Sequence, residues 1–78
     1  MHTTTERHMI CAEAAASAAA ALEAGARNPC AAPWQRIHYA FLARVERLAQ
    51  AYHEEAARDA EQGRPVQDWL AWLQSRGI

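Results

Sequence analysis

Apolar and polar positions alternate at helical spacing along much of the chain, and the longest such stretch lies between Pro33 and Gly63. No glycine or proline interrupts it. Within this stretch, mostly apolar side chains recur at spacings of four and three residues, a row we call the seam: Trp34, His38, Phe41, Val45, Leu48 and Tyr52. A heptad pattern of this kind predicts one long amphipathic helix that buries a continuous stripe.

Helix start and stop signals predict two further helices. Thr3 and Glu6 have the spacing of a capping box, which starts a first helix that Gly25 would end. Gly63 ends the long helix, and Gly77 ends a short helix after it with a Schellman stop. The three predicted helices span about 4–24, 33–62 and 65–76.

These lengths predict an all-α fold, in which an antiparallel helical hairpin and a short third helix form a small three-helix bundle. Residues 1–78 are expected to be a single helical domain. The first helix should cover most of the seam, with His8 opposite residue 50. The third helix should fold back over the remaining end of the long helix, where Trp69 meets Tyr52.

Because much of the hydrophobic content is alanine, the hydrophobic fraction overstates the size of the core. Apolar residues make up 51% of the chain, but twenty of the 78 residues are alanine, whose side chain buries little area. So thin a core usually needs a partner, self-association or very close helix packing. The alanines between 14 and 21 favour close packing, because small side chains let a second helix approach.

Charge and cysteine content exclude several classes of function. The net charge is −1, and all eight basic residues are arginine, so there is no basic excess for binding nucleic acid. Cys11 and Cys30 are too few for a disulfide framework and favour a cytoplasmic protein with reduced thiols. The alanine-rich stretch is expected to fall short of the roughly 20 apolar residues that span a membrane.

No catalytic or metal motif is complete. The segment 53–57 begins like a zinc-protease helix, but Ala57 stands where the second histidine is required. Glu54 and Arg58 are predicted to form a surface ion pair instead. Four other residues of zinc-ligand type fall in two pairs at opposite ends of the hairpin: His8 with Cys11, and Cys30 with His38. We therefore predict no metal, no cofactor and no enzymatic activity.

Aromatic and arginine side chains give the candidate binding residues, since both dominate protein-binding hot spots. Trp34 and Trp69 are predicted to be core, and His38 is predicted to be a packed, hydrogen-bonded core or rim histidine. Trp72 lies at the edge of the third helix and is predicted to be partly exposed beside Arg76. A second candidate is an outer stripe of the long helix: Arg36, Tyr39, Ala43 and Arg47. The alternatives are a core edge for Trp72 and ordinary solvated surface for the stripe.

The function predicted from the sequence is a non-enzymatic protein-binding module that occupies a surface of a larger complex. Small phage or mobile-element antagonists, such as anti-CRISPR inhibitors and antitoxin-like proteins, resemble it in size and helical class only. One alternative is a homodimeric regulator or scaffold that self-associates through helix 33–62. A nucleic-acid-binding regulator is disfavoured, because Arg36, Arg44 and Arg47 spread over different faces of that helix.

Overall fold

The computed structural model describes all 78 residues and contains three α-helices and no strand. The helices are α1 (Thr4–Ala26), α2 (Pro33–Glu61) and α3 (Trp69–Ser75). The first two are antiparallel, because His8 near the start of α1 contacts His53 near the end of α2. The predicted all-α hairpin with a short third helix is confirmed.

Local sequence signals account for most helix ends. The Thr3 hydroxyl accepts a hydrogen bond from the backbone N–H of Glu6 at 3.1 Å and so caps α1. Gly63 and Gly77 both have φ of 72°, which is the left-handed conformation of a Schellman stop. After Gly77, the Ile78 N–H donates to the Leu73 carbonyl at 3.1 Å, as this motif requires.

The third helix begins four residues later than predicted. Asp68 is its N-cap, and the carboxylate accepts a hydrogen bond from the Ala71 N–H at 2.8 Å. Just before it, the Gln67 carbonyl accepts a hydrogen bond from the Tyr52 hydroxyl at 2.6 Å. In a helix that began at residue 65, the Gln67 carbonyl would instead accept a hydrogen bond within α3.

Gly25 does not end α1, which continues to Ala26. A Cβ placed on Gly25 would lie 3.0 Å from Cδ2 of Tyr39 in α2. The glycine is therefore explained by the close approach of an aromatic ring rather than by a left-handed stop. The prediction that Gly25 terminates the first helix is wrong for this reason.

Small side chains form the contact between α1 and α2. Alanines on both helices are almost completely inaccessible, and Ala19 is 0% exposed: Ala12, Ala15 and Ala19 on α1, with Ala43 and Ala57 on α2. Since methyl groups fill the space between the two backbones, the helices can pack closely.

This contact lies on the opposite side of α2 from the one predicted. Ala43 faces α1, whereas Tyr52 belongs to the seam, and nine residues separate them. Nine residues correspond to about two and a half helical turns, so the two side chains point in opposite directions. The expectation that α1 covers most of the seam is therefore wrong, since only Tyr52 at its far end meets α1, through the ring of His8. His8 lies opposite His53 rather than residue 50.

The seam is covered only at its far end, where Tyr52 contacts both α3 and His8 of α1, whose ring centroid lies 6.0 Å away. The ring of Tyr52 meets the edges of Trp69 and Trp72, with centroids 5.4 and 5.6 Å apart. The predicted contact between Trp69 and Tyr52 is thus present. The molecule is flat, with dimensions of 47 × 30 × 14 Å.

Helix α1 is apolar in composition. It has 23 residues, and an 18-residue stretch with mean hydropathy 1.2 meets the length and composition criteria for a membrane span. This differs from the expectation that the alanine-rich stretch is too short. A signal sequence and the packed helix of a globular protein satisfy the same criteria. In the structure, the inner alanines of this helix lie against α2.

The alanine contact predicts strong sensitivity to side-chain size. Ala19→Leu should lower the free energy of unfolding by about 1–3 kcal/mol, because the larger side chain forces the two helices apart. Ala20→Leu, at an exposed neighbouring position, should change it by less than about 0.5 kcal/mol. Urea denaturation followed by circular dichroism measures both values. Equal effects of the two substitutions would contradict close packing at Ala19.

Candidate interaction surface

A strip of large apolar side chains is exposed on the first half of α2. Trp34, Ile37 and Phe41 are 69%, 72% and 62% exposed, and Val45 is 40% exposed. Their spacings of three and four residues place them on one side of the helix. We call these four residues the apolar strip.

The lengths of the other helices explain why the strip is open. Because α1 occupies the opposite side of α2, only α3 can cover this one. At seven residues, α3 is about 10 Å long, whereas the 29 residues of α2 extend over about 43 Å. Packed against Tyr52, α3 reaches only one half of the seam. The prediction that Trp34 is a core residue is wrong, since the helix that would bury it lies elsewhere.

A groove runs along α2 beside the apolar strip. It consists of two adjoining cavities of about 560 and 370 Å³ that share Ala26 and Ala40. Three arginines line this groove, which we call the basic groove: Arg36, Arg44 and Arg47. Ile37 is in both the groove and the strip, so the two features form one continuous surface.

Charge in the basic groove is only partly neutralised. Its one acidic residue, Glu23, binds Arg47 through two hydrogen bonds of 3.1 and 2.7 Å. This pairing lowers the pKa of Glu23. The Nε of Arg36 is buried without a hydrogen-bond partner, and Arg44 has no ion pair within 4 Å. The groove therefore keeps an excess of positive charge.

Trp72, predicted to be partly exposed, is the most deeply buried aromatic side chain, at 2% exposure. Its indole N–H donates to the Glu55 carboxylate at 2.8 Å. Arg76 bonds the same carboxylate and places its guanidinium carbon 4.4 Å from the centre of the Trp72 ring. The predicted exposure of Trp72 is wrong, because this residue and Arg76 attach α3 to α2.

The predicted outer stripe is also misplaced, because three of its members face α1. Ala43 is buried against that helix, the Tyr39 ring lies over Gly25, and Arg47 binds Glu23. Of the five predicted binding residues, only two line the basic groove: Arg36 and Arg47. Sequence reasoning missed the apolar strip because it assigned the seam to the interior.

The Glu55 carboxylate is the polar centre of the α3 attachment. The hydrogen bond from Trp72 and then the one from Arg76 lower its pKa. Glu55→Ala should reduce the free energy of unfolding by about 1–3 kcal/mol, because the buried indole N–H of Trp72 loses its acceptor.

Glu54→Ala is the matched control, since Glu54 forms no ion pair and the predicted pair with Arg58 is absent. Urea denaturation and amide hydrogen exchange across residues 69–75 measure the two variants. Unchanged exchange in Glu55→Ala would show that α3 does not depend on this carboxylate.

Two histidines join the start of α1 to the end of α2. Nδ1 of His8 lies 2.8 Å from Nδ1 of His53, so one ring must donate and the other accept. Burial, and then the charge of His8, lower the pKa of His53 below its ordinary value of 6.5. No third metal-ligand side chain joins the pair. His38 and both cysteines are exposed, so the prediction of a packed His38 is wrong.

The His53 pKa predicts a pH dependence with a definite sign. Below pH 6.5 the unfolded chain takes up a proton that the folded chain resists, so the free energy of unfolding falls as pH drops. Stability should therefore decrease as the pH falls from about 7.5 through 6.5, and level off below the lowered pKa of His53 in the folded chain.

His53→Gln should flatten this decrease, and His38→Gln, at an exposed position, should leave it unchanged. Urea midpoints measured at half-unit pH intervals test both. A slope that persists in His53→Gln would assign the proton uptake to another group.

Comparison with protein-family models, curated proteins and solved structures finds no match for the chain. Its function must therefore be inferred from its own surface chemistry.

Proposed function

We propose that this protein is a non-enzymatic binding module that occupies a surface of a larger protein complex through the apolar strip. The observation that supports this most is the exposure of Trp34, Ile37 and Phe41 side by side on one helix. Contiguous large apolar side chains on a small protein are typical of an interaction site. Tryptophan at such a site is among the residues that contribute most to binding.

Two further observations support a binding role. Exposing these side chains is unfavourable for the isolated chain, and they contribute little to its own packing. The contacts that hold the three helices together lie elsewhere, at Ala19, Glu55 and the His8–His53 pair. The apolar strip can therefore be used for binding without disturbing the fold.

An antagonist that blocks a site on its target, as small phage or mobile-element proteins do, is the form of this proposal that fits the size and flat shape of the molecule. The expected setting is the cytoplasm, where the two exposed thiols, Cys11 and Cys30, would stay reduced.

A homodimer through α2 is the second candidate, and the heptad spacing of the seam favours it. Trp34, Phe41 and Val45 follow the coiled-coil repeat on the exposed side of the helix. In this case the partner of the apolar strip would be the same strip of a second copy.

Site-specific photo-crosslinking in producing cells tests the proposed surface. A photoreactive amino acid at position 41 should give discrete adducts with a partner protein, and one at Glu13, on the outer side of α1, should not. Trp34→Ala should weaken binding by at least about 2 kcal/mol, roughly 30-fold, because it removes the largest anchor.

Circular dichroism of Trp34→Ala should match wild type, since this side chain is exposed. Equal adducts at positions 41 and 13, or none at either, would overturn the proposed surface. Adducts of twice the chain mass would identify the homodimer instead.

A further inference from the structure

We infer that the occupant of the apolar strip is an amphipathic helix of another protein whose apolar seam is flanked by acidic side chains. This inference rests on the proposed binding function and names the class of partner. It follows from how α2 binds α3, from the charge of the basic groove, and from the consequence of pairing two copies.

The packing of α3 shows that this side of α2 can bind a helix. Along its second half, α3 lays Trp69 and Trp72 against Tyr52. The apolar strip continues the same side of α2 toward Trp34 at helical spacing. A second helix on this side would occupy for the first half of α2 the place that α3 occupies for the second, in the helix-in-groove mode of recognition.

The dimensions of the surface set the length of that helix. From Trp34 to Leu48 the surface extends over about 21 Å, which corresponds to about 14 helical residues. Ile78, which follows α3, lines the same cavity as Leu48 and bounds the surface at that end.

The sign of the flanking charge comes from the distribution of arginines. Between Glu23 and Arg47 the chain has four arginines and two glutamates, whereas the rest has four arginines and seven acidic residues. Positive charge is thus concentrated beside the apolar strip. Neither the Arg36 nor the Arg44 guanidinium has an ion pair within the chain, so both can bind carboxylates on a partner helix.

The same charges disfavour a second copy as occupant. An antiparallel pairing centred on Phe41 would place residue 44 opposite residue 38 of the other chain and residue 34 opposite residue 48. Both sets of groove arginines would then enter one interface, where the one acidic residue of each groove, Glu23, is already bound to Arg47. A parallel pairing would place Arg44 beside Arg44. Like charges brought together in this way oppose association.

Two synthetic helical peptides of about three heptads test the inference. Both have the same leucine and isoleucine seam, and they differ only in having glutamate or lysine at the flanking positions. We expect the glutamate peptide to bind at least about tenfold more tightly by fluorescence anisotropy, and the preference to shrink at about 1 M salt, where charges are screened.

Charge reversal tests which residues set the preference. The double variant Arg36→Glu with Arg44→Glu should favour the lysine peptide, whereas Arg58→Glu, at an exposed position outside the groove, should keep the wild-type preference. Arg44→Glu alone is measured as well, because Arg44 is exposed and has no ion pair, so this substitution leaves the fold intact.

The outcomes separate this inference from the proposed function. Equal binding of the two peptides, or an unchanged preference after charge reversal, would overturn the acidic partner but leave the apolar strip as a binding surface. Binding of neither peptide, with adducts still formed at position 41, would overturn a helical partner alone. A stable dimer by sedimentation would identify a second copy as the occupant. No binding and no adducts would remove both proposals.

Discussion

The packing of α1 on the small-residue side of α2 determines the rest of the structure. The alanines at 12, 15 and 19 let the two backbones approach closely, and so close an approach leaves no room for large side chains between them. The helices therefore meet where α2 also has a small residue, Ala43. Each bulky residue of α2 must then lie at the border of this contact or on the far side. The interior is consequently a narrow row of methyl groups, and the large apolar side chains are left for other helices to cover.

Aromatic residues show how this constraint distributes burial. Trp72 is fully enclosed because a carboxylate of α2 accepts its indole N–H and a guanidinium covers its ring. Trp34 belongs to the regular heptad row of α2, but no helix packs against it, and it is exposed. Burial therefore depends here on which helix reaches a residue, and the apolar pattern alone does not reveal that.

The number, type and order of the helices could be predicted from local signals, because caps, Gly63 and Gly77 act within one or two turns. The side of α2 that meets α1 could not be predicted in the same way. Both the heptad row of α2 and its row of small residues are candidates for packing against α1. Which row is used depends on how closely the two backbones fit together, and the pattern of the two rows does not contain that information. Gly25 contains that information, but its meaning depends on Tyr39 being opposite. The candidate surface was missed for the same reason.

The smallest dimension of the molecule, 14 Å, is close to the width of a single helix. The molecule is therefore thin, and the apolar strip runs along α2 on the side to which α3 is attached. A helix bound there would extend the row of contacts that α3 begins. The outer side of α1, which includes Glu13, would stay accessible, so the bound protein could meet a second surface there.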